Sequence, residues 1–154
     1  MMQEKIELLQ EELAGLQLAA GYLEYSMERC LRLIGQETLP PEQLERLESL
    51  TSRFARLADL LIQRIFRLVD EIELTGGGTL LDRIYRAEKR GWANAAELIK
   101  IRELRNLIAH EYATEKMPEI YAAVVAMSPV LMAAVPKVLA YAANTIQRYQ
   151  NDRR

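Results

Sequence analysis

Two long apolar stripes limit what this chain can fold into. Ile6, Leu9, Leu13, Leu16, Ala20, Leu23, Met27, Cys30 and Ile34 recur at steps of three and four, the spacing that aligns side chains along one face of an α-helix. Leu47, Leu50, Phe54, Leu57, Leu61, Ile65, Leu68 and Ile72 repeat the pattern in a second segment. Gly35 and the Leu39-Pro40-Pro41 stretch separate them, since neither glycine nor paired prolines sustain a helical ladder. The first stripe keeps near the coiled-coil period for about four heptads, and a bundle helix is the reading adopted over a coiled coil. No segment alternates at strand period, and no internal repeat is visible.

The rest of the chain is punctuated in the same helical manner. Thr75-Gly76-Gly77-Gly78-Thr79 is a flexible connection too short to separate domains. A short helix is expected from Leu80 to about Arg90, stopped by Gly91. Asn94 is placed to cap a further helix from Ala95 to about Tyr112. Met117-Pro118 puts proline in the first turn of a final helical region, which Pro129 and Pro136 are expected to kink or break. The most apolar segment, Ile120 to Ala143, is interrupted by Ser128, Pro129, Pro136 and Lys137, so it reads as a buried helical region rather than a membrane span. The expected fold is all-α, a single domain over residues 1–154 built as an up-and-down bundle of about five helices.

Composition narrows the chemistry. Cys30 is the one cysteine, which excludes an intrachain disulfide and a cysteine-based zinc site. The carboxylates form no metal-ligand pattern with the single histidine, so no metal site is expected. The opening Met-Met-Gln-Glu-Lys reads as the start of an amphipathic helix rather than a signal peptide, and a reducing cytoplasm is the expected compartment. Net charge is −2, but residues 1–45 carry −6, residues 46–105 carry +3 and the remainder +1. The basic middle is rich in arginine, whose planar fork suits phosphate.

The chemically richest stretch is Arg105-Asn106-Leu107-Ile108-Ala109-His110-Glu111-Tyr112, which holds the chain's one histidine. On a helix advancing about 100° per residue, Ile101, Leu104, Leu107 and Ile108 cluster as a core face. Arg105, Arg102, Asn106 and His110 fall opposite, at about 0°, 60°, 100° and 140°. Tyr112 returns to the line of Arg105, and the small Ala109 permits another surface to approach. On the second long helix Arg46, Arg53, Arg56, Arg64 and Arg67 share an arc of roughly 80°. They read either as a phosphate track, which Arg83, Arg86, Lys89 and Arg90 would extend, or as a solvated face with local ion pairs to Asp59, Asp70 and Glu71.

Cleaving an RNA phosphodiester needs a base for the 2′-hydroxyl, an acid for the leaving oxygen and positive charge on the transition-state phosphate. One chain with one histidine lacks an acid–base pair. A symmetric homodimer apposing two such helices would bring two His110 and two Arg105 into one cleft.

The string Arg105-Asn106-x-x-Ala109-His110-x-Tyr112 resembles the signature of HEPN domains, and more narrowly the HepT-type toxins paired with a minimal nucleotidyltransferase antitoxin. The likeness is sharp over about a dozen residues and extends to the general helical layout. It implies a metal-independent ribonuclease acting as a homodimer, with Arg105 and His110 catalytic and Asn106 orienting them. Arg102, Arg53, Arg56, Arg64 and Arg67 would be the RNA-binding residues. It further implies no cofactor for this chain, an RNA substrate with tRNA as one target class, and a partner nucleotidyltransferase that uses ATP to place AMP on Tyr112. Some relatives of this type only bind nucleotide or serve a nucleotidyltransferase as a substrate-binding partner. That alternative stays open, as does a helical interaction protein in which the motif is accidental.

Overall fold

The computed structural model describes residues 1–111 and 114–154. It is an all-α bundle, with no strand among the described residues. Helix α1 spans Met2–Cys30 and passes into a 3-10 turn, Leu31–Leu33. Its predicted stripe is the buried one: Ile6, Leu9, Leu16, Leu23, Met27 and Cys30 lie in the core. Helix α2, Pro41–Asp59, starts on proline at N1. It runs through a π-helical segment, Leu60–Ile65, into α3, Phe66–Ile72, as one rod. α1 and α2 pack along their apolar stripes, and both rest on the last helix.

The π segment was not foreseen. The Phe66 N–H reaches back five residues to the Leu61 carbonyl, which deprives the Ile62 carbonyl of the partner an α-helix would supply. Arg83, on the neighbouring helix, donates to that carbonyl at 3.2 Å. Burial there pushes the Arg83 guanidinium pKa down, against the pull of Asp70.

Helix α4, Leu80–Lys89, opens with a capping box. The Thr79 hydroxyl accepts from the Asp82 N–H at 3.2 Å, and the Asp82 carboxylate accepts from the Thr79 N–H at 2.8 Å. Gly91, at φ 80°, turns the chain after α4 as expected. Asn94 caps α5, Ala95–His110, by accepting from the Ala96 N–H at 2.8 Å.

After a 3-10 turn, Thr114–Lys116, helix α6 runs unbroken from Met117 to Asp152. Pro129 and Pro136 lie inside it, so the expected break does not occur. Each proline removes a single N–H. The two stand seven residues apart on the side of α6 that this chain leaves exposed, so neither ring is forced into the core. On the buried side the Ser128 hydroxyl donates to the Val124 carbonyl at 2.6 Å.

Arg86 and Arg90 turn inward. Asp70, with 2% of its side chain exposed, takes Arg90 at 2.5 Å and Arg86 at 2.9 Å, the latter as an ion contact rather than an aligned hydrogen bond. Arg90 also donates to Glu73 and to Thr75, and lies over the rings of Trp92 and Tyr141. Burial opposes its charge, but the bonds to Asp70, Glu73 and Tyr141 raise its pKa overall. This cluster ties the glycine-rich connection to α4 and α6.

Candidate functional site

Helix α5 presents its residues largely as the spacing predicts. Leu98, Ile101 and Leu104 are buried, whereas Arg102, Ala109 and His110 are exposed and Arg105 and Asn106 half-exposed. Leu107 departs from expectation: assigned to the core face, it is 45% exposed. At about 200° from Arg105 it sits at the edge of the apolar arc, where the bundle no longer covers it. The helix also ends earlier than expected, at His110. Glu111 is extended at φ −91°, ψ 123°, its N–H closing on the Leu107 carbonyl at 2.8 Å. Tyr112 lies outside the described residues.

Arg105 is gripped by a residue that the sequence reading assigned elsewhere. Its Nε and Nη2 donate to the two carboxylate oxygens of Asp59 on α2, at 2.7 and 2.9 Å. The bidentate pair raises the guanidinium pKa, chiefly through those hydrogen bonds. Beside it, Arg105 and Ala109 line a cleft of about 310 Å³ between α5, α2 and α6, whose other walls include Glu48, Ser52 and Tyr121. Glu48, Met117 and Tyr121 are shared with a larger cavity of about 530 Å³ under the α1–α2 connection. Tyr121, only 5% exposed, was not singled out from sequence. Burial, and then the Glu48 carboxylate, raise its phenol pKa. His110 is not among the cleft's walls; it stands exposed at the end of α5.

The arginine stripe along the rod of α2, the π segment and α3 is divided rather than continuous. Arg53 turns to α1, donating to the Tyr22 carbonyl at 3.2 Å and the Ser26 hydroxyl at 2.7 Å, and lies over the Tyr22 and Tyr25 rings. Arg64 reaches Glu12 on α1 at 3.5 Å, Arg67 pairs with Glu71 at 3.8 Å, and Arg46 pairs with Glu42. Arg56 and Arg102 are exposed. Of the three acids expected to pair with the stripe, Glu71 does so. Asp59 instead holds Arg105, and Asp70 holds Arg86 and Arg90. The envisaged extension of a phosphate track through Arg83, Arg86 and Arg90 fails for the same reason: Arg83 donates to the Ile62 carbonyl, Arg86 to the Gly77 carbonyl of the connecting loop, and Arg90 to the buried Asp70 carboxylate.

Cys30 is fully buried, its thiol donating to the Arg46 carbonyl at 3.3 Å. Burial pushes its pKa up, the opposite of what a nucleophilic thiol needs. Among the described residues no group of three or more His, Cys, Asp or Glu side chains is placed to hold a metal ion. No family model, curated protein or solved structure matches the chain.

Proposed function

We propose that this chain is a metal-independent endoribonuclease of the HEPN type, the toxin of a type VII-like pair with a minimal nucleotidyltransferase. It acts on RNA, with tRNA as a candidate class, in the cytoplasm. The carrying observation is the relation of Arg105 to His110 on α5. Arg105 is held by Asp59 at the mouth of a cleft that Ala109 also lines, while His110 stands exposed outside it. The two side chains leave the helix about 140° apart. One chain therefore brings both groups to one edge without turning them toward a common phosphate, whereas a second copy against this edge supplies the missing histidine. In that dimer one His110 is base and the other acid, Arg105 carries the phosphate charge, and Asn106 orients the pair. AMP transferred to the Tyr112 hydroxyl from the partner enzyme's ATP, with release of pyrophosphate, would add phosphate charge to the motif and silence the site.

A second reading draws on the same ion pair. Because Asp59 already neutralises Arg105, the chain fits a non-catalytic module that presents nucleotide or RNA to a nucleotidyltransferase. Incubating purified full-length protein with total RNA in the presence of EDTA separates the two. The nuclease reading predicts cleavage by the wild type that His110→Ala abolishes. Wild-type protein that leaves RNA intact overturns it.

A further inference from the structure

Helix α6 carries an outward face that this chain does not cover. Seventeen residues between Glu119 and Lys137 include no charge. One side of this segment, with Ile120, Val124, Leu131 and Val135, is core. On the other, Ala126, Pro129, Ala133 and Pro136 are exposed, flanked by half-buried Val125, Val130 and Met132. An 18-residue window of α6 is apolar and long enough to cross a membrane by length and composition, yet only 33% of it is buried. Its apolar sequence predicts an interior segment, and the bundle encloses one side of it. A helix apolar all round is a helix covered all round in its working state, and an exposed apolar face of this length marks a contact surface.

We propose that this face pairs with the same face of a second copy, the two α6 helices running antiparallel about a two-fold axis that crosses the exposed side at the level of residue 128. The charges at its ends choose the occupant. Glu119 and Lys137 are 18 residues apart, five full turns, so they leave the helix in the same direction, about 27 Å from one another. Both are exposed, and neither has an ion-pair partner among the described residues. Antiparallel pairing sets Glu119 against the partner's Lys137 at each end. A parallel pairing would set like against like. Between the ends, Pro129 falls beside the partner's Ala126 and Ala133 beside the partner's Ala122. These small side chains let the helix axes approach to about 8 Å, while Val125, Val130 and Met132 close the flanks. A bilayer has no use for opposite charges set in register.

In this arrangement Met117, which follows the motif, lies about 33 Å along the axis from the partner's Met117. The contact is thus separate from one that joins two His110, and the two together close into a dimer of dimers where their two-fold axes meet at right angles. The inference stands on α6 alone and does not require ribonuclease activity.

Sedimentation of the full chain at low salt tests it, with circular dichroism confirming that each variant is folded. Lys137→Glu is expected to raise the dissociation constant about tenfold, and Glu119→Lys combined with Lys137→Glu to restore it. Ala126→Glu is expected to halve the mass of the assembly while leaving any RNA cleavage in place. An unchanged mass in Ala126→Glu, or failure of the double reversal to restore pairing, overturns the proposal. So does wild-type protein that stays unpaired and co-sediments with phospholipid vesicles. If the wild type pairs through α6 but leaves RNA uncut, the nuclease reading falls and this one stands.

Discussion

Replacing Asp70 by alanine would leave two guanidiniums facing a space from which their shared carboxylate has gone. Asp70 is almost fully enclosed, Arg90 has 9% of its side chain exposed and Arg86 23%. Breaking a buried ion pair by removing one partner costs about 3–5 kcal/mol, because the remaining charge is stranded. Arg90 keeps Glu73 and Arg86 can turn toward solvent, so the lower figure, about 3 kcal/mol, applies. At roughly 2.1 cal/mol/K of unfolding entropy per residue, a chain of this length loses about 10 °C in Tm for that amount. The assay is thermal and urea unfolding by circular dichroism, with the urea slope checked for constancy. Asp70→Asn, which keeps an acceptor oxygen between the arginines, should lose about half as much. A loss below about 1 kcal/mol for Asp70→Ala would refute the reasoning, since it would place Asp70 among exposed surface pairs.

The remaining predictions concern smaller or more local effects. Asp59→Ala should change stability by no more than about 1 kcal/mol, because the pair with Arg105 is a third exposed. In a single-turnover RNA assay it should slow cleavage about tenfold or more, as Arg105 loses its orientation; an unchanged rate would deny Asp59 a positioning role. Leu74→Gly should stabilise by about 1 kcal/mol, since Leu74 sits at φ 60° with its side chain in solvent. The Asp82 pKa is held below 3.8, chiefly by the Thr79 N–H. Its contribution is therefore present above pH 3.8 and lost as pH falls through the lower folded value. Asp82→Asn should flatten the fall of Tm with pH in that acid range. Arg83→Met should cost about 1–3 kcal/mol by orphaning the Ile62 carbonyl, read by urea unfolding.

Most of the bundle was legible because helix spacing and breakers act locally. The stripes from Ile6 to Cys30 and from Leu47 to Ile72 form the core, and Asn94 and Gly91 cap and stop helices where expected. What was not legible depends on neighbours far away in sequence. Pro129 and Pro136 pass inside α6 because their rings lie on the side that the bundle does not enclose, a fact about burial rather than propensity. The carbonyl freed by the π segment at Leu60–Ile65 is satisfied by Arg83, 21 residues away, and the set of Arg105 depends on Asp59, 46 residues away. Counting arginines on α2 gave a stripe, but the acids that claim them come from several elements. An acid in the middle of a basic run, as Asp59 is, was the available sign that a more distant arginine would be drawn to α2.

The proposed ribonuclease site needs His110 from two chains. Mixing wild-type and His110→Ala subunits in equal amounts, after exchange to equilibrium, tests it through the RNA cleavage rate of the pool. A site that needs both histidines leaves about a quarter of the wild-type rate, the share of dimers that are wholly wild type. About half the rate, falling in direct proportion to the wild-type fraction, would contradict it.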